Sequence, residues 1–353
     1  MPLFDKEEKA FGLDISDTSL RLVQLEKKTK RTQVQLYNEL TLPKDCIRSG
    51  EIIDSKTFSE NFNKLVKTKL GHGTLSREVI CSLPESKTFL KFIEFPACPE
   101  DQLKDKIQEI LPQHLPMAIE DVYLDCQIMS QDAISIKVLV AASSKPIVDS
   151  YVKILDSTGF IPVTLELEAV AITRLIVENN NNLEPQIIID IGANRTGIFL
   201  CDNGIIKFTI GLPISGNKIN ELIQKTLGLD LEKSEQAKIA CGLDRNKCHG
   251  ALEEIFSATV SELIASIEKV MAFYQNDFSN PSKIAKIVLC GGGANMLDLN
   301  SAIAKKLNLK VEISNPWKNI VNPNSSYFTP QKSQSFVTAL GLGLRGIRPE
   351  TFL

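Results

Sequence analysis

The sequence lacks the features of a membrane-spanning or secreted protein. Among its 353 residues, no apolar run approaches the ~20 residues that a bilayer-spanning helix needs. The N-terminal segment, residues 1–8, is charged and has no apolar stretch, so we do not expect a signal peptide. We expect a cytoplasmic protein that would reach a membrane only through a partner.

Features of nucleic-acid binding and of zinc sites are also missing. The formal net charge is −3, and the one short basic stretch, residues 27–31, is predicted to be a solvated hairpin turn. The eight cysteines form no CxxC pair, and only Cys241, Cys248 and His249 come near a metal-ligand spacing. Cysteines scattered through a large chain fit a reducing cytoplasm.

Common catalytic signatures are absent as well. The sequence has no Walker A motif, no G-x-S-x-G and no HExxH, and its three histidines, His72, His114 and His249, have no evident catalytic partner. A GxGxxG pattern at 341–346 lies near the C-terminus, where there is no room for the βαβ unit of a dinucleotide-binding fold. None of these enzyme classes is therefore favoured.

Two segments share one design: an apolar strand that contains Asp-Ile at its end, a short polar turn, and a second strand that runs back. The first covers 11–25 and contains Asp14, and the second covers 186–201 and contains Asp190. Each Asp alone could be an ordinary turn residue, but the repeat suggests two similar domains facing one another. Such turns direct backbone N–H groups at phosphate oxygens, and an Asp at each strand end can hold Mg2+ through water. The pair therefore predicts a metal-nucleotide site.

Three successive glycines, Gly291–Gly293, separate a predicted strand at 283–289 from a predicted helix at 298–307. They could form a simple turn before the helix. Without side chains they would also let the backbone lie against a base or a phosphate. With the two Asp turns, they predict a nucleotide clamp.

The rest of the chain alternates between helical and strand patterns, and from 85 to 160 it reads as a small α+β insertion with its own sheet and two helices. The predicted strands cover 32–40, 78–83, 88–95, 122–129 and 134–141. The predicted helices cover 58–70, 100–110, 147–157, 165–177, 218–227, 232–241 and 252–273. Residues 179–182 are predicted to be a polar hinge.

The order of these motifs resembles the actin-like ATPase superfamily and, within it, the PilM family of type IV pilus assembly; FtsA is a better-known relative. Residues 11–19 and 189–196 resemble the first and second phosphate motifs, and 288–294 the adenosine motif. Residues 234–238 resemble the helix whose Glu and Lys approach the ribose and base, and 163–169 the first connecting helix. The segments that resemble PilM in particular are the insertion with 109–112, and 205–217, 315–317 and 339–345.

The resemblance implies an α/β, actin-like (ribonuclease H-like) two-domain fold with an FtsA-type inserted 1C subdomain. It implies a domain 1A at 1–84 plus 161–178, the 1C insertion at 85–160, and a domain 2 at 183–353 with a 2B part at about 218–283. It also implies a C-terminal helix at about 335–346 that packs back on the first domain.

The resemblance implies ATP and Mg2+ as cofactors, with Asp14 and Asp190 as metal ligands and Glu168 orienting the attacking water. The residues that it implies for nucleotide binding are Asp14, Ser16, Asp17, Thr18, Ser19, Asp190, Gly192, Ala193, Asn194, Arg195, Thr196, Gly216, Glu235, Lys238, Gly291, Gly292, Gly293, Ala294 and Met296. Glu168 could instead be a solvated helix residue, and Glu235 with Lys238 a surface pair.

The phosphate turns depart from the family pattern. Ser16 replaces a usual Gly, and Asp17 brings a second carboxylate close to the expected phosphates, which would repel them unless a metal or a backbone cap uses it. Asn194 and Arg195 stand where Glu and Thr are common. These changes argue against fast hydrolysis more than against nucleotide binding.

The implied function is that of an adaptor of the pilus platform. Its implied partners are other platform proteins and, above all, the cytoplasmic N-terminal tail of PilN, held in a groove of the first domain and the insertion, near 88–95 and 103–110. Residues 347–353 are too short for an amphipathic membrane helix, so recruitment through PilN to the inner face of the membrane is expected. The alternatives are a sugar-type kinase and an FtsA-like division protein.

Overall fold

A computed structural model describes residues 10–28, 31–113, 115, 117–177, 184–278 and 281–347. The strands are β1 (Phe11–Ile15), β2 (Ser19–Lys28), β3 (Arg31–Thr41), β4 (Ile47–Arg48), β5 (Glu51–Ile52), β6 (Leu70–Gly71), β7 (Glu78–Leu83), β8 (Thr88–Pro96), β9 (Val122–Gln131), β10 (Ser135–Ser144), β11 (Ile161–Leu167), β12 (Gln186–Ile191), β13 (Thr196–Asp202), β14 (Ile205–Leu212), β15 (Lys286–Cys290), β16 (Lys310–Ile313) and β17 (Ile320–Val321). The helices are α1 (Ser55–Lys67), α2 (Glu100–Ile110), α3 (Lys145–Ser157), α4 (Glu168–Ile176), α5 (Gly216–Leu227), α6 (Leu231–Cys241), α7 (Ala251–Asp277), α8 (Leu299–Leu307), α9 (Pro330–Ser335) and α10 (Val337–Ile347).

Several predicted features lie outside the described residues. They are the N-terminal segment 1–9, residues 29 and 30 of the basic turn, His114, the hinge at 179–182 and the C-terminal residues 348–353.

Two mixed sheets repeat one arrangement. In the first, β1 pairs antiparallel with β2 and parallel with β7. In the second, β12 pairs antiparallel with β13 and parallel with β15. All five residues of β1 are buried because it is a central strand. The repeat predicted from the two Asp segments is thus present, and Asp14 and Asp190 occupy matching places near the carboxyl ends of the central strands.

The predicted insertion does not have a sheet of its own. Its strands extend the second sheet, whose order is β16-β15-β12-β13-β14-β8-β10-β9, through one pairing of Lys91 with Phe208. β14 would otherwise leave its outer backbone groups unpaired, and β8 uses them. The second predicted helix, α3, packs instead into the core of the first sheet, where Tyr151 is buried and donates to the Gly50 carbonyl oxygen at 2.9 Å. The domain boundaries stay predictions.

Two predicted helices include residues that form strands in the structure. Residues 161–167 form β11, which pairs parallel with β7, so the helix predicted from Leu165 begins only at Glu168. The side chain of Glu166 is held by two arginines, and Leu165 pairs with Cys81, so tertiary contacts favour the strand there. Helix α1 ends at Lys67, and Leu70 pairs with β3.

The segment with the GxGxxG pattern forms α10, which packs against β1 and α4. A Cβ at Gly341 would lie 2.0 Å from the Ala171 carbonyl oxygen, and one at Gly346 would lie 2.1 Å from that of Ala10. These glycines therefore permit close helix packing and have no ligand role. The core around α4 and α10 contains side chains of both sheets, such as Val23 and Ile188, and so joins the two halves.

Candidate functional site: a cleft between two aspartate turns

A cavity of about 320 Å³ opens where the carboxyl ends of the central strands of both sheets meet. It is lined by both Asp turns, the glycine turn, the start of α5 and part of α6. The predicted site residues that line it are Asp14, Ser16, Asp17, Thr18, Glu168, Asp190, Gly192, Ala193, Asn194, Arg195, Gly216, Glu235, Lys238, Gly291, Gly292 and Gly293. Segments far apart in the chain thus converge on one site.

Four predicted residues do not line the cavity. Ser19 bonds to Ser16 at 3.0 Å, and the Thr196 hydroxyl donates to the Ile214 carbonyl oxygen at 2.8 Å. Ala294 and Met296 are buried in the core of the second sheet. These four residues therefore support the turns through hydrogen bonds or core packing and do not face the cavity.

The cavity also contains residues that the sequence did not indicate. These are Arg21, Ser49, Gly50, Pro84, Ser86, Asn217, Gln334, Ser335 and Thr338, whereas Ile15, which also lines the cavity, belongs to the motif at 11–19. Asn217 follows Gly216 and could have been found from that segment. The others arrive from β2, the β4–β5 hairpin, the β7–β8 connection, α9 and α10, and no local pattern marks them.

The Asp17 carboxylate is fully used by neighbouring donors. It accepts hydrogen bonds from the backbone N–H groups of Ser49 at 3.1 Å and Gly50 at 2.8 Å, and from the Asn194 amide at 3.0 Å. Asn217 in turn donates to Asn194 at 2.7 Å. Asp17 is therefore capped by backbone donors, which is one of the two conditions under which this carboxylate would not repel bound phosphates. Its bond to Asn194 also links the first Asp turn to the second across the cleft.

Three carboxyl groups meet in the cleft, those of the buried Asp14 and Glu168 and of the half-buried Asp190. Burial raises the pKa of Asp190 to about 6 and that of Glu168 to about 7, and the remaining carboxylates add to both shifts. Burial also raises the pKa of Asp14, although Arg21, 3.3 Å away, opposes the shift. Such a cluster favours a bound cation because a cation offsets the mutual repulsion.

Arg195 neutralises part of this cluster. Its guanidinium forms an ion pair with Glu168. Burial alone would lower the pKa of Arg195, but the carboxylates of Glu168 and Glu85 outweigh burial and raise it. Glu85 lies beside the cluster in the turn before β8; burial and the Glu168 charge raise its pKa to about 8, and its Oε1 is buried without a hydrogen-bond partner. Sequence reasoning missed Glu85.

The donor set of the cleft fits Mg2+ better than a transition metal. Asp14 and Asp190 both line the cavity, and no group of three or more His, Cys, Asp or Glu side chains within the described ranges could hold a metal ion. Mg2+ commonly takes one or two carboxylates and keeps several waters, whereas zinc needs more protein ligands. The two aspartates are therefore suited to hold Mg2+.

The three glycines of the glycine turn differ in their surroundings. Gly291 has φ 78°, and a Cβ there would lie 2.3 Å from Asp190 Oδ1. A Cβ at Gly293 would lie 2.2 Å from Ile191 Cγ2, whereas one at Gly292 would meet nothing within 4 Å. Gly291 and Gly293 are thus required by packing. Gly292 faces the open cleft, as expected of a surface against which a ligand lies.

Helices α5 and α6 form another wall of the cleft. Lys238 is buried, and its Nζ lies 2.6 Å from Glu235 and 3.4 Å from the Gly216 carbonyl oxygen. Asn220 also donates to Glu235 at 2.6 Å. Glu235 and Lys238 thus form an ion pair, as in the alternative interpretation of the sequence, but both residues also line the cavity beside the first turn of α5. The first N–H groups of α5 are already used, because those of Gly216 and Asn217 donate to the Gly192 and Ala193 carbonyl oxygens at 3.0 and 2.9 Å. What the start of α5 offers an anion is the positive end of its helix dipole.

A second cavity, a groove of about 400 Å³, lies between β9 and β11, and its floor includes Glu166 and Arg345. It is lined by consecutive residues of each strand, 123–127 and 164–167. Successive side chains of a strand point to opposite faces, so a consecutive run can line a groove only along the strand edge. Both strands are the outermost of their sheets. The groove is therefore bordered by two free strand edges.

The groove touches only part of the region expected for a bound peptide. Leu90 lines it from the predicted strand at 88–95, but the part of α2 whose side chains are described does not.

Among the helices of the described residues, none has the length and apolar character that a membrane span requires.

Comparison with solved structures shows the fold. The chain superposes on a chain of a PilM–PilN type IV pilus biogenesis complex with a TM-score of 0.79 and 23% identity, covering 96% of this chain and 98% of that one. EutJ of Carboxydothermus hydrogenoformans superposes with a TM-score of 0.56 and 14% identity, covering 98% of this chain and 91% of that one. MreB5 of Spiroplasma citri bound to AMPPNP superposes with a TM-score of 0.54 and 11% identity, covering 96% of each chain. The predicted actin-like fold is confirmed.

Among characterised sequences, the cell division protein FtsA of Buchnera aphidicola subsp. Baizongia pistaciae is 24% identical over 180 residues, or 44% of this chain. The match spans only 42% of that FtsA, less than half its length. The family model of the type IV pilus assembly protein PilM matches residues 12–347, nearly the whole chain. The protein therefore belongs to the PilM family of type IV pilus assembly proteins.

Proposed function

We propose that this protein is an ATP-binding adaptor of type IV pilus assembly that holds Mg-ATP in the cleft and the cytoplasmic N-terminal tail of PilN in the groove. The observation that supports it most is the convergence of two Asp turns and an open glycine on one cavity. Membership of the PilM family favours this function over a sugar-type kinase or a division protein.

Each wall of the cleft has a part in this proposal. Asp14 and Asp190 would hold Mg2+, which when bound neutralises phosphate charge. Backbone N–H groups of both Asp turns would bind the phosphates, and the positive end of the α5 dipole would favour their charge. Lys238 and Glu235 would contact the ribose and base, with Gly292 against the nucleotide. The MreB5 structure named above contains AMPPNP, an ATP analogue, in a protein of the same fold.

We infer that ATP is held rather than rapidly hydrolysed. A general base must be ionised and within reach of the attacking water. The Glu168 carboxylate is instead bound to Arg195, so it is not available to the attacking water. Nucleotide would then act mainly by holding the two halves of the protein together.

The groove suits an extended peptide. A strand edge offers unpaired N–H and C=O groups, and an extended segment can pair with it while its side chains occupy neighbouring pockets. Tyr123 and Leu124 of β9 are 47% and 37% exposed, which is high for large apolar side chains. In this arrangement PilN, as a membrane protein, would hold the adaptor at the inner face of the membrane.

Groove and cleft share one short segment of chain. Glu166 lies on the groove side, where Arg174 and Arg345 bind it at 2.6 Å. Glu168, two residues later, lies in the cleft and pairs with Arg195. A nucleotide that shifts Glu168 would therefore move the backbone that borders the peptide, which gives the adaptor a physical route to respond to ATP.

The groove is tested with two variants of the same strand. Leu124 and Ile128 are both 37% exposed on β9, but only Leu124 lines the groove. We expect Leu124→Glu to weaken binding of a fluorescent PilN tail peptide at least about tenfold in an anisotropy titration, because a charge would be buried there. Ile128→Glu should leave binding unchanged. Equal effects, or no binding by the wild type with or without Mg-ATP, would refute the assignment.

A further inference from the structure

Cys241 and Cys248 are joined by a disulfide, and the other six cysteines are free. Their Cα atoms are 5.9 Å apart, an ordinary separation for such a bond. The sequence had indicated a weak metal-ligand spacing here and scattered thiols. The bond closes a short loop, because only seven positions separate the two residues. It is a chemical feature that neither the cleft nor the groove requires.

The bond fastens the helix that forms one wall of the cleft. Cys241 is the last residue of α6, the helix that carries Glu235 and Lys238, and Cys248 lies in the turn immediately before α7. The Gly242 N–H donates to the Lys238 carbonyl oxygen at 3.1 Å. The disulfide therefore limits how far the end of α6 can move from the long helix α7.

The same loop also supports the glycine turn from behind. The Leu243 N–H donates to the Leu297 carbonyl oxygen at 2.9 Å, and a Cβ at Gly242 would lie 2.5 Å from that oxygen. Leu297 follows the glycine turn after only a few residues. A change in the loop would thus reach two walls of the cleft together, α6 directly and the glycine turn through Leu297.

The surroundings of the bond favour exchange with external thiols. Cys241 is buried, but Cys248 is exposed, so its sulfur can be reached by a thiolate. Lys247 and His249 flank Cys248, and the N-terminus of the 27-residue helix α7 follows it. The Lys247 charge and the helix N-terminus stabilise the Cys248 thiolate, which promotes its departure from a mixed disulfide and its attack when the bond re-forms.

We propose that Cys241 and Cys248 form a reversible thiol–disulfide site that sets the nucleotide affinity of the cleft, an inference that rests on the proposed ATP binding. A dithiol reductant attacks Sγ of Cys248, which breaks the S–S bond and releases the Cys241 thiolate, and this thiolate takes a proton. The second thiol of the reductant then attacks the mixed disulfide. Cys248 leaves as a thiol, and the reductant is oxidised to its own disulfide.

The test uses the full chain in oxidised form and after reduction with dithiothreitol, with thiols counted by alkylation and mass spectrometry. We expect Mg-ATP to bind about five- to tenfold more weakly to the reduced form in calorimetry. The C241S/C248S double variant should match the reduced form and ignore dithiothreitol. The control C98A removes a free cysteine that lines neither the cleft nor the groove, and it should keep the full response.

Equal affinity of both redox forms would overturn the proposal, as would a bond that never re-forms in glutathione buffers. If neither form binds Mg-ATP, the proposed nucleotide function fails, and hydrogen exchange of the α6 amides decides the redox proposal separately. Faster exchange of α6 after reduction would support a redox-controlled wall of the cleft. Unchanged exchange would refute it.

Discussion

Replacing Gly292 by valine should block nucleotide binding while leaving the fold intact. This glycine has no positive φ, and a Cβ there would meet nothing within 4 Å, so the protein itself can accept a side chain at this position. The new side chain would project into the cavity of about 320 Å³ and would compete with the nucleotide for space. The change thus separates a role in ligand binding from a role in folding.

The size of the effect follows from the cost of overpacking. Inserting extra carbons into an occupied, close-packed site typically costs about 1–3 kcal/mol. Since 1.4 kcal/mol corresponds to a factor of ten, Mg-ATP should bind about 5- to 150-fold more weakly to Gly292→Val than to the wild type. The free energy of unfolding without nucleotide should change by less than about 0.5 kcal/mol.

The assay is calorimetric titration of Mg-ATP, with urea unfolding of the same samples. Gly211→Val is the matched control, since Gly211 also has open space around a Cβ and no positive φ, but lies on β14 away from the cleft. It should bind Mg-ATP as the wild type does. If Gly292→Val retained wild-type affinity, the nucleotide could not lie against the glycine turn, and the proposed geometry of the cleft would be refuted.

Three further predictions concern the carboxyl groups. Glu168→Gln should change the rate of phosphate release from ATP by less than about twofold, because the Glu168 carboxylate is already paired with Arg195. A rate that falls ~100-fold or more would identify Glu168 as an active base. Asp17→Ala should lower the urea-unfolding free energy by about 1–3 kcal/mol because it removes the cap of the Ser49 and Gly50 N–H groups, whereas its Mg-ATP affinity should fall less than tenfold. Glu85 has a folded-state pKa of about 8, above its ordinary 4.5, so its contribution to stability falls as pH rises from 4.5 to 8. The unfolding free energy of Glu85→Gln should therefore exceed that of the wild type by about 1–3 kcal/mol at pH 8 and equal it at pH 4. A difference in unfolding free energy that does not depend on pH would refute this cause.

Local pattern alone was enough for several elements, including strands that carry the two Asp turns. The helix at 100–110 and the strand at 78–83 have the predicted limits, and the β1–β2 and β12–β13 pairs appear as expected. The strands among them are short, almost continuous apolar runs and the helix has helical spacing of its apolar residues, so their pattern is visible in one dimension. The same holds for Asp14, Asp190 and the three glycines, which are marked by their place at strand ends.

The errors arose where a distant partner decided the outcome. Residues 161–167 have apolar residues that could suit a helix, but pairing with β7 and the two arginines on Glu166 make them a strand. The strands of the insertion were recognised, yet their attachment to β14 depends on a free edge far along the chain. Such contacts bring together residues with no fixed spacing in sequence.

By itself, then, the sequence determined the repeated Asp turns, the glycine turn and most strands and helices, because each depends on a short pattern of residue types. Only the tertiary structure decided that Asp17 is capped by the β4–β5 hairpin, that Arg195 pairs with Glu168, that the half-buried Glu85 lies beside them, and that β9 and β11 border a groove. The physical reason is that hydrogen bonding, charge and burial depend on which groups meet in space, and those groups lie on separate elements.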